Sequence, residues 1–190
     1  MHLAQIFRRA GVPDGVLNVV TGRGEQIGDF LVSHKLINAI NLTGSYQTAE
    51  KVAKLAGVKK LIFGLSGKDA SLVLADADLS LAASEIAQGS FSYAGQRCTG
   101  IKRVLVEEEV AEEFIEKLVS QVAEKFKLGD PRKEETTLGP IINDETAQYV
   151  QELVDEACLR GSKVVLGGKR KGRFLEATIL DCVTDEMRLA

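Results

Sequence analysis

The stretch Gly95-Gln96-Arg97-Cys98-Thr99 holds the residues best suited to covalent chemistry. A thiolate is the nucleophilic form of cysteine, and a fixed cation beside a cysteine in a glycine-opened loop favours it. Cys98 is therefore the candidate nucleophile, with Arg97 and Thr99 as its polar neighbours. Local sequence supports a half-buried loop cysteine beside a solvated arginine equally well, and neither His2 nor His34 can be set next to it as a base. A second group of residues suits phosphate. Thr43-Gly44-Ser45 supplies a glycine for close backbone approach, a hydroxyl and the positive end of the helix it opens. Gly22, Gly24 and Gly28 form another glycine-rich turn ahead of a helix, with Gly-x-Gly-x-x-x-Gly spacing rather than the dinucleotide fingerprint. Strand-to-helix turns also use Gly and Ser for purely conformational reasons.

The remaining polar candidates read as structural. Cys98, Cys158 and Cys182 are an odd number of thiols at spacings that match neither a disulfide framework nor a zinc site, so no metal is expected. Cys158 falls at helical spacing with Val150 and Val154 and is expected to be a small core residue. Asp76 and Asp78 precede a helix, where carboxylates serve as caps. Residues 167–173 form a basic run bracketed by glycines without interleaved aromatics, the pattern of a solvated hairpin turn rather than a nucleic-acid patch.

Alternating helical and strand patterns must position these groups, and they predict an α/β chain with mainly parallel strands. Helices are expected over residues 3–10, from Gly28 to His34, from Ser45 to Ala56, from Leu79, over 110–126, and from Asn143 or Asp144 to a stop at Gly161. Strands are expected over 16–20, 36–42, 60–65, 72–74 and 102–106, and near Val164 and Ile179. The apolar stripes Ala82, Ala83, Ile86, Ala87 and Val110, Phe114, Leu118, Val122 should face a core.

Of the 190 residues, 45% are hydrophobic and 27% charged, a balance that excludes disorder. A net charge of −3 gives no footprint for a polyanion, so neither nucleic acid nor an acidic membrane surface is an expected partner. The longest apolar runs are strand-sized, short of the roughly 20 residues that a bilayer span needs. Arg8 and Arg9 are not followed by an apolar core and a cleavage site, so a cytoplasmic address is expected.

In order, these pieces resemble the middle of the aldehyde dehydrogenase superfamily over essentially the whole chain. The run from Ala10-Gly11-Val12-Pro13-Asp14-Gly15 to Val20 resembles the helix-to-strand entry of that family's cofactor domain, and Leu42-Thr43-Gly44-Ser45 its Phe-Thr-Gly-Ser turn. Tyr93-Ala94-Gly95-Gln96-Arg97-Cys98 resembles its nucleophile loop, followed by Gly129-Asp130-Pro131 and Gly139-Pro140 where the family carries the same pairs. Gln96-Arg97-Cys98-Thr99 with Lys102-Arg103-Val104-Leu105-Val106 is most similar to the non-phosphorylating glyceraldehyde-3-phosphate dehydrogenases. The resemblance implies part of a Rossmann-like NAD(P)-binding domain over residues 1–65, joined to part of an α/β catalytic domain over 66–190.

It also implies the chemistry: a small aldehyde such as glyceraldehyde 3-phosphate, NADP or NAD as hydride acceptor, and a thioester on Cys98 that water hydrolyses. Arg97, which in the subfamily holds the substrate phosphate, and Thr99 would orient the substrate. Gly22, Gly24, Gly28, Gly44, Ser45 and Leu65 would contact the cofactor. Some positions depart from the family pattern. Its general base is a glutamate in a Leu-Glu-Leu-Gly-Gly-Lys segment, and Gly64 of Phe63-Gly64-Leu65-Ser66-Gly67-Lys68 stands in that place. Leu42, Tyr46 and Ala49 replace the family's Phe, Thr and Gly around the phosphate turn. Family members are much longer, so a fragment with open sheet edges is expected to form a homo-oligomer or otherwise self-associate. A chain that binds a nucleotide or a partner without turnover is the competing expectation, and a cofactor-free thiol enzyme trails for want of a base.

Overall fold

A computed structural model describes residues 2–190. They form six helices and eight strands in two compact units, one ending at Ser66 and the other beginning at Gly67.

In the first unit, α1 (His2–Arg9) buries none of its residues, and α2 (Gly24–Ser33) precedes β1 (Ala39–Gly44), α3 (Tyr46–Ala56) and β2 (Lys60–Leu65). β1 and β2 pair in parallel, with Thr43 opposite Gly64 and Gly44 opposite Leu65. Parallel neighbours need a crossover, and α3 supplies it. Ser45 starts that helix by accepting a hydrogen bond from the Thr48 N–H at 3.2 Å, and Ala49, Val52 and Ala56 form its buried face. Lys59 donates to the carbonyl of Val32 behind this layer.

The expected strand at 16–20 does not form. A strand needs a partner for its backbone groups, and none pairs with this run among the described residues. Val16, Leu17, Val19 and Val20 are exposed instead. The strand expected over 36–42 begins at Ala39, because the chain first turns through a hydrogen bond from the Ile37 N–H to the His34 carbonyl.

In the second unit, β3 (Asp69–Val73) and β4 (Ile101–Val106) pair in parallel around the intervening α4 (Leu79–Phe91), and α5 (Glu108–Lys125) packs against α4. Asp78 caps α4, its Oδ1 accepting from the N–H groups of Ser80 and Leu81 at 3.0 Å each. Asn143 caps α6 (Asp144–Leu159) through the N–H of Thr146 at 2.7 Å. Such caps satisfy amides that the first helical turn cannot pair internally. Val73 of β3 makes one core with Ala83, Ile86 and Ala87 of α4 and Phe114, Leu118 and Val122 of α5, the last six drawn from the apolar stripes read in the sequence.

The C-terminal strands are antiparallel, unlike the first four. β5 (Lys163–Leu166) pairs with β8 (Ile179–Asp181), and between them β6 (Arg170–Lys171) and β7 (Phe174–Leu175) form a small hairpin that carries the basic run. The two-residue connection from β6 to β7 returns the chain against its own direction, which leaves only the antiparallel arrangement there. An apolar cleft of about 420 Å³ opens into this unit between Phe114, Leu118, Ile141, Val154 and Ile179.

Cys158 is exposed rather than buried in the core. The buried side of α6 is Ala147, Val154 and Ala157, and each residue turns the helix by about 100°, so the position after Ala157 swings outward. Among the described residues no helix is long and apolar enough to cross a membrane, and no cluster of three or more His, Cys, Asp or Glu side chains could hold a metal ion.

Candidate active site

Cys98 sits in the connection from α4 to β4, after a tight turn (Ser92–Gly95), and its side chain is exposed. The backbone there is unusual. Tyr93 (φ 55°), Ala94 (φ 54°) and Gly95 (φ 67°) occupy the left-handed region in succession, where a non-glycine residue costs roughly 1–3 kcal/mol. Strain of this kind persists only where surrounding contacts hold the chain, and several hold this loop.

Arg97 is half-buried. Its Nη2 donates to the Gly89 carbonyl at 3.3 Å, and its guanidinium lies 5.8 Å from the centre of the Tyr93 ring. The Lys102 ammonium donates to the carbonyls of Arg97 (3.2 Å) and Gly100 (2.8 Å), bracketing Cys98. A side chain at Gly67 would place its Cβ 2.8 Å from the Cys98 carbonyl oxygen, so glycine is what allows the two backbones to touch. Thr99 is exposed beside the thiol. Lys68, close behind, has its ammonium pKa held below the usual lysine range, first by burial and then by the charges of Arg103 and Lys102.

Of the sequence candidates, Arg97, Cys98 and Thr99 are thus gathered on one anchored loop. Arg97 is committed in part to the loop itself, since Gly89 and Tyr93 occupy its guanidinium. In the first unit, the register between β1 and β2 brings Gly44 and Leu65 side by side at the carboxyl ends of two parallel strands, with Ser45 next to them. Ligands of open parallel sheets bind at such ends. Ser45 Oγ is shared with the amide and the hydroxyl of Thr48 (3.2 and 3.0 Å). Gly24 opens α2 and Gly28 lies inside it, both with open space where a Cβ would be, whereas at Gly22 the Ile27 side chain is 2.9 Å away. Arg23, before α2, makes no side-chain cap, which leaves the first amides of that helix without one.

Three determinants of the loop escaped the sequence: the Lys102 bracket, the Gly67 contact and a set of hydrogen bonds made by Gln96. Each joins residues whose one-dimensional pattern is unremarkable. Only Gly67, a glycine in a strand-to-strand connection, carried any signal.

The family model for the aldehyde dehydrogenase family matches residues 1–190. The chain belongs to the aldehyde dehydrogenase family. The NADP-dependent glyceraldehyde-3-phosphate dehydrogenase of Streptococcus equinus is 43% identical over 188 residues, which cover 99% of this chain and 39% of that one. The enzyme so named from Scenedesmus vacuolatus is 40% identical over 190 residues, covering 100% of this chain and 80% of that one. Among solved structures, NADP-dependent glyceraldehyde-3-phosphate dehydrogenase from Bacillus halodurans C-125, complexed with NADP, superposes with a TM-score of 0.94 at 40% identity, over 99% of this chain and 39% of that one. The aldehyde dehydrogenase chain described here thus spans 39% of the length of the first of these relatives, and its α/β architecture is that of the family.

Proposed function

We propose that this chain carries the thiol chemistry of an aldehyde dehydrogenase acting on a small phosphorylated aldehyde such as glyceraldehyde 3-phosphate, with Cys98 as nucleophile. The observation that carries the reading is the exposed Cys98 thiol on a strained loop anchored on several sides, within the family's nucleophile motif. Sulfur adds to the aldehyde carbon, the carbonyl π pair moves to oxygen, and the resulting C–H is set to leave as hydride. NADP or NAD, when bound, would supply the acceptor for that hydride. Cys98 then holds a thioester, which water cleaves to the acid and the free thiol.

Arg97 and Thr99 flank the sulfur and orient the substrate, the guanidinium giving a phosphate a cation to pair with. Residues 67–190 form the thiol-bearing unit and the preceding segment the nucleotide-binding one. There the end of β1, the neighbouring Leu65 and the start of α3 suit a dinucleotide phosphate: Gly44 carries no side chain and the positive helix end favours an anion. Gly44, Ser45 and Leu65 would hold it, with Gly22, Gly24 and Gly28 lining the neighbouring turn. Incubation with glyceraldehyde 3-phosphate and NADP should leave an acyl mass increment on the peptide bearing Cys98. Its absence, or its appearance on another peptide, would remove the assignment.

Cys98 should also be alkylated by iodoacetamide faster than Cys158. All three thiols are exposed, so a rate difference reports reactivity rather than access. Equal native rates, measured by peptide mass mapping, would mean that the loop confers nothing on the sulfur.

The chain should associate with itself. β1–β2 and β3–β4 are two-stranded sheets with open edges, and Leu72, Leu105, Val16 and Val20 expose apolar side chains that water disfavours. Light scattering should give a mass above 20.5 kDa; a monodisperse particle of that mass at micromolar concentration would contradict this.

A further inference from the structure

Gln96 precedes Arg97 and Cys98, and its amide makes three hydrogen bonds to main chain. Nε2 donates to the carbonyl of Tyr93 and to that of Pro140, each at 3.3 Å, and Oε1 accepts the N–H of Ile142 at 2.8 Å. Only one orientation of the amide satisfies all three, because two partners are acceptors and one is a donor. The bond to Tyr93 closes the left-handed turn from within, beside the Gln96 N–H, which donates to the same carbonyl at 3.1 Å. The bonds to Pro140 and Ile142 tie the turn to a distant segment. That segment is itself anchored: the Ile141 N–H donates to the Arg173 carbonyl at 2.8 Å, and Leu138 and Ile141 are buried.

We propose that Gln96 is a positioning residue, a three-point amide clamp that holds the strained Tyr93–Ala94–Gly95 turn against residues 140–142 and so keeps the Cys98 thiol presented. The inference rests on Cys98 being the nucleophile. Glycine at 67 backs the Cys98 carbonyl and Lys102 brackets the loop from its far end, and among the described residues Gln96 is the side chain whose hydrogen bonds fasten the loop's entry to the 140–142 segment. Without it, Tyr93 and Ala94 can relax to ordinary backbone angles and the thiol samples orientations other than the presented one.

The test compares the natural chain with Gln96→Leu and Gln96→Glu, using iodoacetamide and reading Cys98, Cys158 and Cys182 separately in each. Gln96→Leu removes all three bonds and should slow alkylation of Cys98 by at least about fivefold, the worth of one neutral hydrogen bond, with Cys158 and Cys182 unchanged. Hydrogen exchange at the Ile142 amide should accelerate in the same variant. Gln96→Glu keeps an acceptor for that amide but loses both donated bonds, so it should retain the Ile142 protection while still slowing Cys98. A Cys98 rate that is unchanged or faster in both variants overturns the clamp, as does a parallel change at all three thiols. Failure of the nucleophile assignment is distinguishable: Cys98 would then match Cys158 already in the natural chain.

Discussion

With position 64 taken for the general-base position, as the family resemblance of Phe63–Lys68 implies, replacing Gly64 with glutamate should speed hydrolysis of an acyl group on Cys98 by about 10²- to 10⁴-fold, the usual contribution of a general base. In the natural chain, glyceraldehyde 3-phosphate with NADP should yield no sustained dihydronicotinamide signal, because Gly64 stands where the resemblance implies the family's general-base glutamate. The substitution is sterically open. A Cβ at Gly64 would meet only Thr43 Oγ1, at an ordinary 3.5 Å, and the residue lies on an exposed stretch of β2 with no left-handed backbone requirement. A chromogenic acetate ester separates the steps. The first release of nitrophenolate reports acylation of Cys98, and the steady slope that follows reports deacylation. Gly64→Gln has nearly the same shape without the base and should keep the natural slope. Equal slopes for the Glu and Gln variants would show that position 64 does not serve the thioester.

The largest effect on stability should come from Gly167→Ala. Gly167 has φ +70°, and an added Cβ would lie 2.1 Å from the carbonyl oxygen of Ala177 and 2.9 Å from its carbon. Those neighbours are backbone and cannot rotate away. Left-handed strain and overpacking together should cost about 2–5 kcal/mol, a large share of the roughly 5–15 kcal/mol by which a domain is stable. Gly172→Ala is the natural control, since φ is +59° there but nothing lies within 4 Å. It should lose only the conformational part. The difference between the two urea midpoints isolates the close approach that joins β5 to the segment entering β8. Indistinguishable midpoints would mean that the chain at Ala177 yields without cost.

The two substitutions also mark how far each feature could be read in advance. Gly64 was visible as an odd residue in a recognisable string. Gly167 was one glycine among several in an expected turn, and its contact with Ala177 is a property of the folded hairpin. Helix starts were similarly accessible: Asp78 and Asn143 are caps because a short oxygen-bearing side chain reaches amides two or three residues ahead, an interaction wholly contained in the local sequence. The apolar stripes of α4 and α5 were accessible for the same reason. Two expectations were overturned by context. The run at 16–20 has the composition of a buried strand but no neighbour with which to pair, and composition cannot supply one. Cys158 matches a helical apolar spacing, yet the buried face of α6 is centred on Ala147, Val154 and Ala157, one step of the helix away. Periodicity fixes the relative phase of residues on a helix; it leaves open which edge of a stripe meets the core.

By itself the sequence determined the alternation of elements, the family and the residue bearing the candidate thiol, since all three depend on residue order and on contacts within a few positions. The tertiary structure decided how that thiol is held. The amide of Gln96 reaches partners 44 and 46 residues away, and Gly67 lies against the Cys98 backbone from a different strand connection. The left-handed run at Tyr93 and Ala94 could not be foreseen from those side chains, which resist such angles. Long-range hydrogen bonds and backbone contacts offset a local preference there, and they exist only once the chain has folded.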